Sequence, residues 1–308
     1  MNTSSFGVEK ATLIRVPATA NLMIDSMDRP SVLDSSGVDL VLPWNFSINK
    51  PQQLINGFFS RIGVTEVVLE WCIPNVSESL NTKEFAIYDS SNNLIIAELL
   101  EGSYTVKDAL DAIVDLLTAL ALPGYTWSIT QDAGQVFLDG GGTRTFRVVA
   151  GELAFKVGLN PIMLDDTLPL TVQATPPALE RIVQCPDMRP YRYIDFVCSQ
   201  LTAVQDVKDA TTDIVDRDVL CRWYFAWDEA PPLDGYGFPI LMGYQKFVTR
   251  RLYNPPKQIK WEQNTPVGGY LQFQVFSDLG NLVEYKSDAF LNTPDHSNWA
   301  MTLQLSEG

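Results

Sequence analysis

His296 is the only histidine among 308 residues. Any Ser-His-Asp triad, Cys-His pair or histidine-metal site would have to be built on it. It stands in Asn292-Thr293-Pro294-Asp295-His296-Ser297, a polar turn with no visible orienting partner, and it reads as a loop residue. A second candidate is the acidic series Asp206, Asp209, Asp213, Asp216 and Asp218, whose carboxylates in principle suit Ca²⁺. The series lacks the glycine and the closing glutamate of an EF-hand, so a solvated face is expected. Gly140-Gly141-Gly142 offers free backbone N–H groups, but a phosphate cradle needs a helix directly after the glycines. Here Thr143-Arg144-Thr145-Phe146-Arg147 leads into a strand pattern, and a hairpin turn is expected instead. The four cysteines, Cys72, Cys185, Cys198 and Cys221, form no CxxC pair. Cys72 and Cys198 lie in apolar runs and are expected to be buried thiols. None of these groups amounts to an active site. The chain is read as non-enzymatic, without cofactor or metal.

The cations gather in one place. Lys246, Arg250, Arg251, Lys257 and Lys260 alternate with Phe247, Tyr253 and Trp261, a pattern that would suit a single nucleic-acid strand. The whole chain argues the other way. Lys and Arg number 22 and Asp and Glu 37, a net charge of −15 and a pI near 4.4, whereas nucleic-acid binders draw their affinity from cations on phosphates. The cluster is therefore assigned to a contact with an acidic surface on a neighbouring subunit. The candidate subunit-interface residues are Arg250, Arg251 and Lys257 on one side and Asp213 and Asp216 on the other, with Tyr236 and Phe238 as aromatic lateral contacts. The same charge disfavours an anionic membrane surface. No stretch reaches the roughly 18 apolar residues of a membrane span. The first 20 residues lack the apolar run of a secretory signal, so an intracellular, reduced protein is expected. Hydrophobic residues are 46% and charged ones 19%, below the roughly 25% charged residues typical of soluble domains. A large core and a surface partly covered by other subunits follow from that balance.

Period-two alternation supplies the elements that must position these groups. Val38, Leu40, Leu42, Trp44, Phe46 and Ile48 share one phase, and Pro43 in the other phase predicts an edge strand or a bulge. Val67, Leu69, Trp71 and Ile73 mark a second strand over 66–73, closed by Pro74-Asn75. Phe85–Tyr88 and Leu94–Leu100 form a hairpin across Asp89–Asn93. Thr105 and Asp108 resemble a capping box before Ala109, Leu110, Ile113, Leu116, Leu117 and Leu120, which predicts one helix over about 106–121. Short strands follow over 125–130, 135–138 and 145–149, then a proline-rich connection over 159–190. Later strands are predicted at 193–201, 220–227, 246–252, 258–261, 270–276, 282–285 and 299–305. The sum is an all-β chain: a jelly-roll β-sandwich over 26–308 with an α+β insertion at about 84–160, preceded by an arm or edge strand over 1–25.

Four segments resemble the penton-type minor capsid proteins of the polinton, virophage and nucleocytoplasmic large DNA virus lineage. They are Asp25-Ser26-Met27-Asp28-Arg29; Val67–Asn75, a strand closing on Ile73-Pro74-Asn75; Gly102-Ser103-Tyr104-Thr105 with its helix and Val157-Gly158-Leu159-Asn160; and Pro255-Pro256-Lys257 through Ser306-Glu307. The loop Val76–Asn81 and the stretch 161–190 depart from the family pattern. The resemblance implies a structural virion protein that forms homopentamers at the icosahedral vertices of a double-stranded DNA virus. Its neighbours would be major capsid protein trimers and a vertex fibre or cement protein, without direct nucleic-acid contact. It would be assembled inside the host cell and not secreted. The alternative reading is a β-sandwich receptor- or glycan-binding module on a virion or cell surface, using exposed aromatics such as Trp227 and Tyr236.

Overall fold

The computed structural model describes residues 19–32, 35, 41–49, 59–71, 73–132, 135–141, 144–159, 179–182, 186–202, 219–225, 232–240, 247–254, 256, 258–260, 269–283 and 298–306. The chain opens with β1 (Thr19–Asp25), β2 (Asn45–Asn49) and β3 (Arg61–Trp71). There follow β4 (Glu84–Tyr88), β5 (Leu94–Glu98), α1 (Val106–Ala119), β6 (Ser128–Asp132), β7 (Gln135–Asp139), β8 (Arg147–Val148), α2 (Glu152–Lys156) and β9 (Leu179–Arg181). It continues through β10 (Tyr193–Val197), α3 (Ser199–Thr202), β11 (Val219–Tyr224), β12 (Phe247–Leu252), β13 (Gln258–Lys260), β14 (Tyr270–Ser277) and β15 (Asn298–Ser306).

Two antiparallel sheets face each other. One runs β1-β15-β3-β12, with β13 also on β3, and the other runs β11-β10-β14-β2. Leaving out β13, the strands outside the 84–181 stretch can be counted one to eight. First pairs with eighth, second with seventh, third with sixth and fourth with fifth. A ribbon paired in this way and rolled into two sheets is a jelly roll. The predicted arm thus contributes a true edge strand, β1, paired to β15 from Thr19↔Ser306 to Asp25↔Ala300.

Aromatic side chains tie the two sheets together. The Trp299 ring lies 5.0–5.7 Å from those of Phe46, Phe196 and Phe273, all on the opposite sheet. Its indole N–H donates to Pro43 O at 2.7 Å. Trp71 packs edge-on against Trp44 and Phe225, with centroids at 5.6 and 4.5 Å.

The inward phase of β3 changes midway. Ile62 and Val64 are buried, and so are Val67, Leu69 and Trp71. The pairing skips Thr65, because Thr302 faces Glu66 while Leu303 faces Val64. A bulge of this kind moves the following side chains to the other face, and Thr65 Oγ1 donates to Thr302 O at 3.1 Å.

Several expectations are corrected. The eleven-residue strand over 38–48 shrinks to β2. Residues 36–40 lie outside the described residues, and Asn45 N donates to Leu42 O across a turn. Pro43 has no N–H for a ladder, so pairing starts after it, at the edge of its sheet. The strand expected over 193–201 ends at Val197 and turns into α3. Within 282–285, Leu282 makes only an isolated bridge to Phe276, and residues 284–285 lie outside the described residues. Cys198 is a buried free thiol as expected, whereas Cys72 lies outside the described residues.

Between β3 and β10 lies a second core. Its sheets run β5-β4-β8 and β6-β7-β9. The capping box at α1 is formed: Thr105 Oγ1 accepts from Asp108 N, and the Asp108 carboxylate accepts from Thr105 N. Val106, Ala109, Leu110, Ile113 and Leu117 face inward, while Leu120 is exposed past the last turn. The helix ends at Ala119, close to the expected 121. This core draws on residues from Val76 to Met188. The sequence pattern did not signal β9, which pairs with β7, nor α2.

Candidate interaction surfaces

The segments that carry the family resemblance are structural ties. Asp25 caps the short turn Ser26–Asp28 by accepting from Met27 N at 2.8 Å. Ser26 is buried and its Oγ accepts from Trp299 N at 2.8 Å. The Arg29 guanidinium donates to Val41 O at 2.9 Å and to Ser26 O at 2.8 Å. Ser26 and Arg29 therefore lock the end of β1 to the start of β15. Asn75 does the same for the insertion. It is fully buried, its amide donates to Tyr104 O and Met188 O at 2.8 Å each, and its Oδ1 accepts from Tyr104 N at 2.9 Å. One side chain thus joins the exit from β3, the entry to α1 and the chain's return toward β10.

The loop between β11 and β12 reaches across to α1. Asp234 accepts from Lys107 N at 3.0 Å, and also from Tyr236 N and Phe238 N. A carboxylate on an orphan N–H of the first turn favours the helix and its dipole. The Tyr236 hydroxyl donates to Asp111 Oδ1 at 2.5 Å, and Lys107 Nζ sits 5.1 Å from the ring centre. Burial comes first in raising the Tyr236 phenol above its ordinary range, and the Asp111 carboxylate adds to it. Phe238 packs against the second core. The two aromatics expected at a lateral contact, or for Tyr236 at a glycan site, are thus partly spent inside the chain.

The basic residues separate. Arg250 points outward from β12 and pairs with Glu66. Arg251 turns the other way: its guanidinium lies 4.9 Å from the Trp223 ring and donates to Tyr224 O at 3.4 Å. It bridges the two sheets at their β11–β12 edge, so charge reversal there would strain the sandwich itself. Lys257, Asp213, Asp216 and His296 lie outside the described residues, as do the other acids of 206–218 and Trp227. Among the charged pairs that the sequence did not signal, one is nearly buried. Asp195, 3% exposed, accepts from Arg222 through both oxygens at 2.7 and 2.9 Å, and Arg222 stacks 3.9 Å from the Tyr193 ring centre. Single charges twenty-seven positions apart carry no pairing signal until β10 and β11 align them.

The described part of the glycine loop does not lead into a helix. Gly141 N donates to Asp139 Oδ1, Gly140 O accepts from Thr126 N, and β8 follows. Gly141 has φ +63°, and a Cβ there would lie 2.8 Å from Thr126 O. The glycine is required by that close approach, but the expected hairpin is not formed, because β7 and β8 belong to different sheets. Burial pushes the Cys198 thiol up to about 11, which makes it a poor nucleophile at neutral pH. Among the described residues, no helix is long and apolar enough to cross a membrane.

A cleft of about 1000 Å³ separates the insertion from the sandwich, with Phe155 and Lys156 on one wall and Tyr191 and Asp278 on the other. Its floor is held by Asp187 and Arg189, paired at 2.8 and 2.6 Å, while Arg189 also donates to Phe225 O. Lys156 donates to Arg189 O, and burial lowers its ammonium pKa. Burial alone would raise the Asp187 carboxyl, but the hydrogen bonds and charge of Arg189 outweigh it and hold the carboxyl below its ordinary range. The folded chain therefore binds this proton more weakly than the unfolded chain. The resulting stability is fully present above the ordinary carboxylate range and is lost as the pH falls through the folded-state value. Asp187→Asn is expected to cost about 1 kcal/mol at pH 7, with the cost shrinking toward zero in acid. Urea midpoints of both chains at neutral and acid pH check this, and an equal cost at both would count against it.

No protein-family model matches the chain, and no curated protein matches it. Among solved structures it is similar to the crystal structure of a selenomethionine-labelled mavirus penton protein, with a TM-score of 0.49 and 9% identity, over 94% of this chain and 99% of that one.

Proposed function

We propose that this chain is a structural capsid subunit of a double-stranded DNA virus, placed at the icosahedral five-fold vertices as a homopentamer. One observation carries the reading. A fully wound jelly roll receives its insertion between the third and fourth sandwich strands, and the segments that resemble the penton-type capsid proteins, Ser26–Arg29, Ile73–Asn75 and Tyr104–Thr105, tie that arrangement together. Jelly rolls build capsids and lectins alike, and these ties favour the capsid. The work of such a subunit is done by surfaces rather than by a reaction centre. Its partners would be further copies of itself and the surrounding major capsid protein trimers, with a fibre or cement protein at the vertex, and its place would be the virion.

The test is to label purified virions with an antibody against this chain and image them by electron cryo-microscopy. Label at the five-fold vertices is expected. Its absence from the particle overturns the reading.

A further inference from the structure

Two open strand edges on this molecule match each other. β5 is the outer strand of the β5-β4-β8 sheet, and β12 ends the β1-β15-β3-β12 order. Among the described residues, neither pairs with a strand on its open side. Ala97 and Leu99 of the first edge face the second core, so Ile96, Glu98 and Leu100 point outward. The ladder continues past β5, with Leu99 N donating to Lys83 O at 2.8 Å, which keeps Leu100 in that phase. On β12 the outward residues are Val248, Arg250 and Leu252. Leu100 and Val248 are 82% and 68% exposed, and the Glu98 and Arg250 side chains are 63% and 62% exposed. An uncovered apolar edge is a template for pairing with another chain.

We propose that copies of this chain join head to tail, β5 of one copy adding antiparallel to β12 of the next. The register sets Ile96 opposite Leu252, Glu98 opposite Arg250 and Leu100 opposite Val248. Apolar meets apolar at both ends and opposite charges meet between them, the cross-strand pairs that stabilise antiparallel ladders. No shift of the register by two residues keeps all three matches. Glu98 and Arg250 already pair with Lys83 and Glu66 within the chain, so the new contact would create a network of four alternating charges. The two edges belong to different elements, so the contact is heterologous and can repeat around a ring. The inference rests on the reading of the chain as a self-assembling subunit, and it names the contact.

Mixing two variants tests it. Glu98→Arg and Arg250→Glu each place like charges across the contact, and each chain alone is expected to self-associate at least about tenfold more weakly than wild type in sedimentation velocity. A one-to-one mixture restores opposite charges wherever the two variants meet, which is at most all but one contact of a ring of five, and is expected to recover association in part. Leu100→Asp, at a position too exposed to matter for folding, should weaken association without rescue by either partner. Wild-type-like association of the single variants, no recovery on mixing, or a wild type that stays monomeric would each overturn the contact. Labelled vertices together with unaffected variants would sink the contact while leaving the capsid reading intact; unlabelled virions would sink the capsid reading.

Discussion

An Asn75→Ala chain is expected to lose about 3–5 kcal/mol of stability, because each buried polar partner left unpaired costs about 1–3 kcal/mol. Asn75 is 0% exposed, and three backbone groups depend on it: Tyr104 N, Tyr104 O and Met188 O. Alanine can replace none of those bonds. The Tyr104 bonds lie directly before the N-cap of α1, so the helix entry should loosen first. Asn75→Asp is expected to be worse than alanine in its local effect. It keeps an acceptor for Tyr104 N, but it turns both donors into acceptors facing carbonyls and buries a charge. Urea unfolding gives the magnitude, and amide hydrogen exchange at Tyr104 and through the first turn of α1 gives the location. A loss below about 1 kcal/mol, or unchanged exchange there, would show that the insertion is held some other way.

A Trp299→Ala chain is expected to lose about 3–5 kcal/mol through the cavity it opens. The residue is 2% exposed and its ring spans the gap to Phe46, Phe196 and Phe273 on the facing sheet. Trp299→Phe keeps much of that packing but removes the donor to Pro43 O, so it should cost about 1–3 kcal/mol. The difference between the two variants separates packing from hydrogen bonding. Chemical denaturation with tryptophan fluorescence measures both. Equal losses would mean that the ring contributes little beyond its N–H.

The fold was legible where periodicity was unbroken and local. α1 declared itself through Thr105, Asp108 and five inward apolar positions, all within reach of one another along the chain. The hairpin of β4 and β5 did so through its alternation and the Asp89–Asn93 turn, where the Asp89 carboxylate accepts from Ser91 N and Asn93 N. β3 was legible only from residue 66, because the bulge at Thr65 reverses the phase of Ile62 and Val64. The reading of 38–48 as one strand failed because alternation cannot distinguish a buried Trp44 in a turn from one in a ladder. β9 has three residues and takes its identity from β7, at least forty positions earlier. Among the interface candidates, Tyr236 and Phe238 are drawn inward by Asp234, a polar side chain whose helix partner is 127 positions away. The importance of Asn75 could be suspected from Ile73-Pro74-Asn75 alone, but its three bonds depend on Tyr104 and Met188, which no spacing rule connects to it.

The pairing of first strand with eighth also bears on how the chain is made. The closing ladder joins Thr19 to Ser306, a separation that places the sandwich among the slow folders. β3, in the middle of its sheet, has no neighbour toward β1 until β15 has been synthesised. The insertion is different: β4 meets β5 across a short turn, β6 meets β7, and α1 packs beside both. On the ribosome, these hairpins can form while later sandwich strands are still to come. The apolar inner faces of β1 and β3 must wait exposed through that interval. In this protein, aggregation during synthesis competes with the insertion of β15 between β1 and β3, and only the local hairpins and helix of the insertion can be in place while the sandwich waits.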